Sequence, residues 1–159
     1  LKSAMTDAGI DISQQVSWSG LLDKLISEKV EPTLVQPCFL TDYPMAMSPL
    51  AKKSNNDSRI VERFEGFVFG MEICNAFSEL NDPVDQRQRF EHQESMRISS
   101  DSKNEDAYDR LDEDFLVAIE QGMPPTAGLG LGIDRLTMIL LNEPSIREVI
   151  LFPQLRSNQ

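Results

Sequence analysis

Two carboxylates, Glu65 and Glu72, flank the dipeptide Phe69-Gly70 in a stretch crowded with Phe64, Phe67, Val68, Ile73 and Phe77. If Phe69-Gly70 is the turn of a hairpin, Val68 pairs with Met71, Phe67 with Glu72 and Glu65 with Cys74, so both acids share one face. Diagonal neighbours of that kind lie about 7–8 Å apart. Two charges at about 7 Å repel by roughly 2 kcal/mol at an effective dielectric near 20, which an exposed sheet tolerates and a cleft does not. A cation would resolve the repulsion, and Mg²⁺ is the ion that takes protein carboxylates in ones and twos, with water and phosphate completing its shell. The same spacing describes two ordinary solvent-facing strand residues, and spacing alone favours that plainer reading.

The second strand continues with Asn75, Phe77 and Glu79, alternating on one face. An amide, an aromatic and an acid in a row could wall a pocket for a ligand with an apolar stem and a cationic end. They could equally be a half-exposed edge strand. One conflict is informative: Glu72 and Asn75 have opposite parity in a regular strand. A bulge within residues 73–75 is therefore predicted if both face one cleft.

Farther along, the run Gly128-Leu129-Gly130-Leu131-Gly132-Ile133-Asp134-Arg135 turns from a strand into a helix. It is not the dinucleotide fingerprint G-x-G-x-x-G, because Ile133 stands where the third glycine belongs and no acid follows about 20 residues on. What remains is backbone that a ligand can approach closely, with Arg135 in the first helical turn. Such an arginine is either half of an internal ion pair or a phosphate clamp, and spacing does not choose. His92, the single histidine, lies on a polar helix and reads as solvated. Cys38 and Cys74 sit in apolar runs and read as buried thiols. With one histidine and no G-x-S-x-G, a serine-type hydrolase has no support.

The elements that would carry these residues follow from periodicity. Leu21, Leu22, Leu25, Ile26 and Val30 form an apolar stripe over residues 17–31, closed by Pro32, which predicts a helix. Residues 34–40 are compatible with a strand, and 54–58 with a solvated turn. Asp82-Pro83 starts a helix running to about Met96, polar enough to lie on the surface. Residues 98–111 have no periodicity and are expected to be a mobile acidic loop. Residues 112–121 make a short helix with Phe115, Leu116 and Ile119 inward. The helix after Arg135 is apolar on nearly every side, which predicts burial. Ser145 and Glu148 have capping-box spacing. Residues 1–16 receive no element of their own.

A chain of 159 residues with 40% hydrophobic residues can bury one core. No window approaches the roughly 18 apolar residues of a membrane helix, and residues 1–10 lack a signal-peptide layout, so a soluble piece without a membrane role is expected. Fifteen Lys and Arg against 26 Asp and Glu leave a net charge of −11. That argues against a basic groove tracking nucleic-acid phosphates on this surface. The opening Leu1 points to a section of a longer polypeptide.

Seven strings, SPLAK (48–52), ERFE (62–65), EICNAFSELNDP (72–83), DQRQRFE (85–91), DEDF (112–115), GMPPTAGLGLGIDRL (122–136) and SIREVILFPQLR (145–156), occur in an order that resembles the C-terminal part of class II lysyl-tRNA synthetases. The similarity runs from about residue 21 to residue 156. It implies an α+β fold, an antiparallel sheet flanked by helices, with residues 1–159 forming the C-terminal section of a class II catalytic domain.

The resemblance also implies roles. Glu65 and Glu72 match the family's Mg²⁺-binding acids, which hold the metal on ATP. Asn75, Phe77 and Glu79 match its lysine pocket. Gly128, Gly130 and Gly132 match the adenylate site, and Arg135 the catalytic arginine on ATP phosphate. The implied partners are ATP, L-lysine and tRNA(Lys), with a homodimer as the full-length assembly and the cytoplasm as its location. The family's anticodon-binding domain and its first two motifs have no counterpart in these 159 residues, so the piece alone is expected to be inactive. Two other readings are a paralogue that attaches a lysine-like group to a translation factor, and a non-catalytic module that kept the fold. The intact Glu72, Asn75, Glu79 and Arg135 speak against the second.

Overall fold

Phe69 and Gly70 both take positive φ, 54° and 72°, the left-handed pair that a two-residue hairpin turn needs. Holding a phenylalanine there costs about 1–2 kcal/mol. Two hydrogen bonds dock the turn: Phe69 N–H donates to Val35 O at 3.0 Å and Gly70 N–H to Leu34 O at 2.9 Å. A Cβ at residue 70 would stand 3.2 Å from Glu31 O, a tight contact that glycine avoids in addition to accommodating the positive φ.

The computed structural model describes residues 1–15, 17–99 and 111–153. The hairpin strands, β2 (Arg63–Val68) and β3 (Met71–Ser78), form the centre of a four-stranded antiparallel sheet. The outer strands are β1 (Cys38–Thr41) and β4 (Ala127–Leu131), and the order is β1-β2-β3-β4. The expected α+β arrangement is what the chain adopts. Helices α1 (Lys2–Asp7) and α2 (Trp18–Leu25) precede the sheet. Helix α3 (Pro83–Ser99) follows the hairpin, α4 (Glu113–Glu120) precedes β4, and α5 (Ile133–Leu141) follows it.

Local signals carried most of these elements. Ser17 Oγ accepts from Gly20 N–H at the start of α2, and the stripe continues past Leu25 as a π-helical turn (Ile26–Val30) and a 3₁₀ turn (Glu31–Thr33) that includes Pro32. Asp82 Oδ1 accepts from Val84 N–H at 2.9 Å, and Asp112 Oδ1 from Phe115 N–H at 2.9 Å. Ser145 Oγ accepts from Arg147 N–H ahead of a 3₁₀ turn (Ile146–Glu148). The first strand is later and shorter than residues 34–40. Helix α1 was not foreseen; it contributes Met5 to a core with Ile10 and Leu21. A second core joins Tyr43, Ala51 and Val61, with Leu40 and Phe77 packed against it.

The hairpin register differs from simple alternation. Val68 pairs with Met71 and Phe67 with Glu72 as expected, but Gly66 pairs with Cys74 and Glu65 with Asn75. Ile73 is the extra residue, so the predicted bulge lies within 73–75, and the expected Glu65–Cys74 pair is replaced. The bulge frees two carbonyls. Ile73 O accepts from Gly132 N–H at 2.9 Å, and Glu72 O accepts from Arg135 Nη1 at 2.7 Å, which ties the start of α5 to β3.

Four expectations about burial are corrected. Helix α3 is polar but not merely a surface helix: Gln86 is fully buried and Arg89 nearly so. Gln86 Nε2 donates to Pro49 O, and Arg89 Nη1 donates to Ser48 O, Pro49 O and Ala51 O. The segment 48–51 has only an isolated bridge, Ala51 to Glu79, and a backbone bond from Leu80 N–H to Leu50 O, so polar side chains from α3 satisfy much of the rest. Helix α5 buries Met138, while Ile133, Leu140 and Leu141 are exposed, because none of the described elements covers that side. The sheet face of Phe39, Leu129 and Leu131 is exposed as well. Cys38 and Cys74 are free and half-buried rather than buried; Cys74 lies on that same open face and Cys38 on the opposite one. Phe115 is also partly exposed, with Leu116 and Ile119 the inward residues of α4. Ile98 and Ser99 continue α3, and the rest of the expected acidic loop, residues 100–110, lies outside the described residues.

Candidate active site

Strand alternation, with the register of the hairpin and of β4, sorts the sheet into two faces. Arg63 opposes Phe77, Glu65 opposes Asn75 and Phe67 opposes Glu72; on β4, Gly130 opposes Asn75 and Gly128 opposes Phe77. One face therefore collects Arg63, Glu65, Glu72, Asn75, Phe77, Gly128 and Gly130. Without the extra residue at Ile73, Glu72 would point to the opposite side from Asn75.

At the centre of this face stands Arg63, which the sequence did not single out. Its Nε donates to Asn75 Oδ1 at 3.2 Å, Nη1 to Ser48 Oγ at 2.6 Å and Met47 O at 3.1 Å, and Nη2 to Glu65 Oε1 at 2.5 Å. The guanidinium carbon lies 4.6 Å from the centre of the Tyr43 ring. The Tyr43 hydroxyl donates to the other Glu65 oxygen at 2.5 Å. Burial, and then that bond to Glu65, raise the Tyr43 phenol well above its ordinary range, so it stays a donor. The available signal was that Arg63 precedes Glu65 by two residues and so shares its face in any strand.

Toward one end of the face lie Phe77 and Glu79. Phe77 is half-buried against the Tyr43 core. Glu79 continues its parity, with its backbone N–H bonded to Thr126 O. Its carboxylate passes over Gly128, where a Cβ would stand 2.5 Å from Oε1. Burial raises the Glu79 carboxyl above its ordinary range, and no cation pairs with it among the described residues. Asn75 Nδ2 likewise has no acceptor among them. Cα atoms of residues 75 and 79 are about 13 Å apart in an extended strand. A donor and an anion thus bracket an aromatic surface, with the glycines of β4 leaving room above it.

Toward the other end, Glu65 and Glu72 share the face and Arg135 arrives from α5. Arg135 Nη1 lies 3.3 Å from Glu72 Oε2, and the arginine side chain is 48% exposed. Its observed partner is Glu72, not Asp134. Glu72, Asn75, Gly130, Gly132, Asp134 and Arg135 are among the residues lining a cavity of about 350 Å³. Glu31 adds a third acid nearby: burial, with the charges of Glu65, Asp23 and Glu72 behind it, raises its carboxyl. The described residues hold no cluster of three or more candidate metal ligands. Both Glu65 oxygens already accept, from Arg63 and Tyr43, and Glu72 faces Arg135, so these two carboxylates beside an open glycine strand suit Mg²⁺ bound mainly through water and substrate phosphate. His92 is exposed and stands outside this assembly.

Comparison with known proteins gives a consistent result. The family model for class II tRNA synthetases (D, K and N) matches residues 10–156. The lysine–tRNA ligase of Dehalococcoides mccartyi is 53% identical over 159 residues, covering 100% of this chain and 31% of the relative. That of Oceanobacillus iheyensis is 51% identical over 149 residues, 94% of this chain and 29% of the relative. That of Chloroflexus aurantiacus is 51% identical over 156 residues, 98% of this chain and 31% of the relative. The chain thus spans about 31% of the length of such relatives.

Proposed function

The chain belongs to the class II tRNA synthetases (D, K and N), and on that basis we propose that it is the C-terminal section of a lysine–tRNA ligase catalytic domain. The observation that carries the choice of lysine is the half-buried Glu79 carboxylate, which has no cation beside it among the described residues. Aspartate would be repelled there, asparagine would bring no charge, and an ε-ammonium supplies the missing partner. Phe77 lies along the aliphatic stem. Asn75 Nδ2 meets the substrate carboxylate, which sets the reacting end of lysine beside Glu65 and Glu72.

That placement fits adenylation. One carboxylate oxygen of lysine attacks the α-phosphorus of ATP, and the bond to the bridging oxygen breaks with its electron pair leaving on pyrophosphate. Gly128, Gly130 and Gly132 let the adenylate lie close to the backbone, and Arg135 meets phosphate charge as it shifts toward the leaving group. Glu65 and Glu72 would hold Mg²⁺ on ATP, the ion supplying neutralisation of the phosphates. A terminal adenosine hydroxyl of tRNA(Lys) then attacks the lysyl carbonyl and AMP leaves. No protein nucleophile is required, and alignment does most of the work.

The same reading makes the whole protein a homodimer working in the cytoplasm. The two free thiols suit a reducing compartment, and no described helix is long and apolar enough to cross a membrane. The test is ATP–pyrophosphate exchange by the full-length protein. Exchange driven by lysine, and not by aspartate or asparagine, is expected; exchange driven by either of the others would end the reading.

A further inference from the structure

We propose that Arg63 is a positioning residue for the amino-acid site, which by occupying Asn75 Oδ1 turns the Asn75 amide so that Nδ2 faces the substrate carboxylate. The inference deepens the lysine–tRNA ligase reading and rests on it. An asparagine amide has one accepting and one donating end, and the two flips are nearly equal in shape. Arg63 Nε has only a proton to give, and it stands 3.2 Å from Oδ1. The flip is therefore selected by a donor-only neighbour: the oxygen faces the protein and the two N–H groups face the cleft. A substrate carboxylate can only accept, so this flip binds it and the other would repel it.

Arg63 can impose that choice because it is itself fixed on every side. Ser48 Oγ and Met47 O hold Nη1, Glu65 holds Nη2, and the Tyr43 ring lies against the guanidinium plane. Its side chain is only 15% exposed. The segment that supplies Ser48 is anchored in turn by Arg89, which donates to the carbonyls of Ser48, Pro49 and Ala51. One guanidinium thus aligns the amide at the lysine carboxylate and the acid, Glu65, on the ATP side. A lysine in its place would lack the planar fork that serves these partners together.

The test uses the full-length protein and two ligands: lysine, and 1,5-diaminopentane, which is lysine without its carboxylate. Arg63→Lys is expected to weaken lysine about 10- to 100-fold, the range of a lost hydrogen bond to a charged group. The diamine, measured as a competitive inhibitor, should change by less than about threefold. Equal weakening of both ligands would show that Arg63 only supports the fold and would overturn the proposal, as would unchanged lysine binding. Asn75→Asp tests the same geometry if Arg63→Lys fails to fold. It keeps an acceptor for Arg63 while replacing the ligand-facing donor by an anion, so lysine should weaken and the diamine tighten. Unchanged lysine affinity in Asn75→Asp would refute the orientation. Lysine-dependent exchange by the unmodified protein tests the underlying reading separately, so the positioning role can fail while that reading stands.

Discussion

The Glu79 carboxylate rests over Gly128, and a methyl group at residue 128 would stand 2.5 Å from its Oε1. Gly128→Ala should therefore push Glu79 off its position without breaking the sheet. The expected result is a lysine KM raised about 10- to 100-fold with a nearly unchanged Tm. Gly130→Ala is the contrast, because its Cβ meets only Asn75 O at 3.7 Å, an ordinary contact. Parallel lysine titrations of the two variants decide the matter, and equal effects would disconnect Gly128 from Glu79.

Glu79→Gln separates function from stability. Burial raises the Glu79 carboxyl, so its contribution to stability is present below the ordinary carboxylate range and lost as pH rises through the raised value. At neutral pH the glutamine variant should be as stable as the parent or more so. Removing one member of a desolvated charge pair costs about 3–5 kcal/mol, so lysine kcat/KM should fall by hundreds-fold, with ATP affinity little altered. A pyrophosphate-exchange assay showing less than about a tenfold loss would reject Glu79 as the ammonium partner.

Arg135 is half-exposed, and its bond to Glu72 contributes at most about 1 kcal/mol to folding. Arg135→Ala should leave thermal unfolding almost unmoved. If it meets phosphate in the reaction, kcat should drop by about 10² to 10³. A small change in kcat together with a lowered Tm would place Arg135 among the structural ion pairs.

The Asp85–Arg89 pair predicts acid sensitivity. Hydrogen bonding to Arg89 lowers the Asp85 carboxyl below its ordinary range. The resulting stability is present above that range and lost as pH falls through the lowered value. Arg89→Met leaves Asp85 with Lys53 as its remaining cation, removes the donor to Ala51 O and one of the donors to Ser48 O and Pro49 O, and should cost about 1–3 kcal/mol. Urea melts from acid to neutral pH should show the variant with a flatter acid limb, and a parallel shift at all pH values would contradict the assignment.

The 159 residues in isolation should fold at least in part yet make no lysyl-adenylate, since they span about 31% of the relatives' length. Exposed Phe39, Leu129, Leu131, Leu140 and Leu141 should drive self-association, visible by sedimentation. Exchange within about tenfold of the full-length protein would refute this, since each missing preorganised contact commonly costs 10² or more.

Local chemistry determined a large part of this molecule. Phe69-Gly70 was legible as a turn because a tight hairpin needs two left-handed residues between alternating apolar strands. The parity conflict between Glu72 and Asn75 was enough to place a bulge, found at Ile73. Asp82 announced its helix because a cap is a contact between near neighbours in the chain, whereas the Asp112 cap became visible only in the structure.

What the tertiary structure alone decided involves partners far apart in sequence. Arg63 meets Met47 and Ser48 across 16 and 15 residues, and Arg135 meets Glu72 across 63. No periodicity reports such meetings, so Arg63 read as an ordinary strand residue, and Gln86 and Arg89 as solvated ones. Helix α5 failed in the opposite sense. Its apolar surface is a local property, but burial requires a neighbour, and a sequence pattern states only which face would accept one. The flip of the Asn75 amide is the finest case: two orientations of one shape are distinguished only by which atom of Arg63 lies against it.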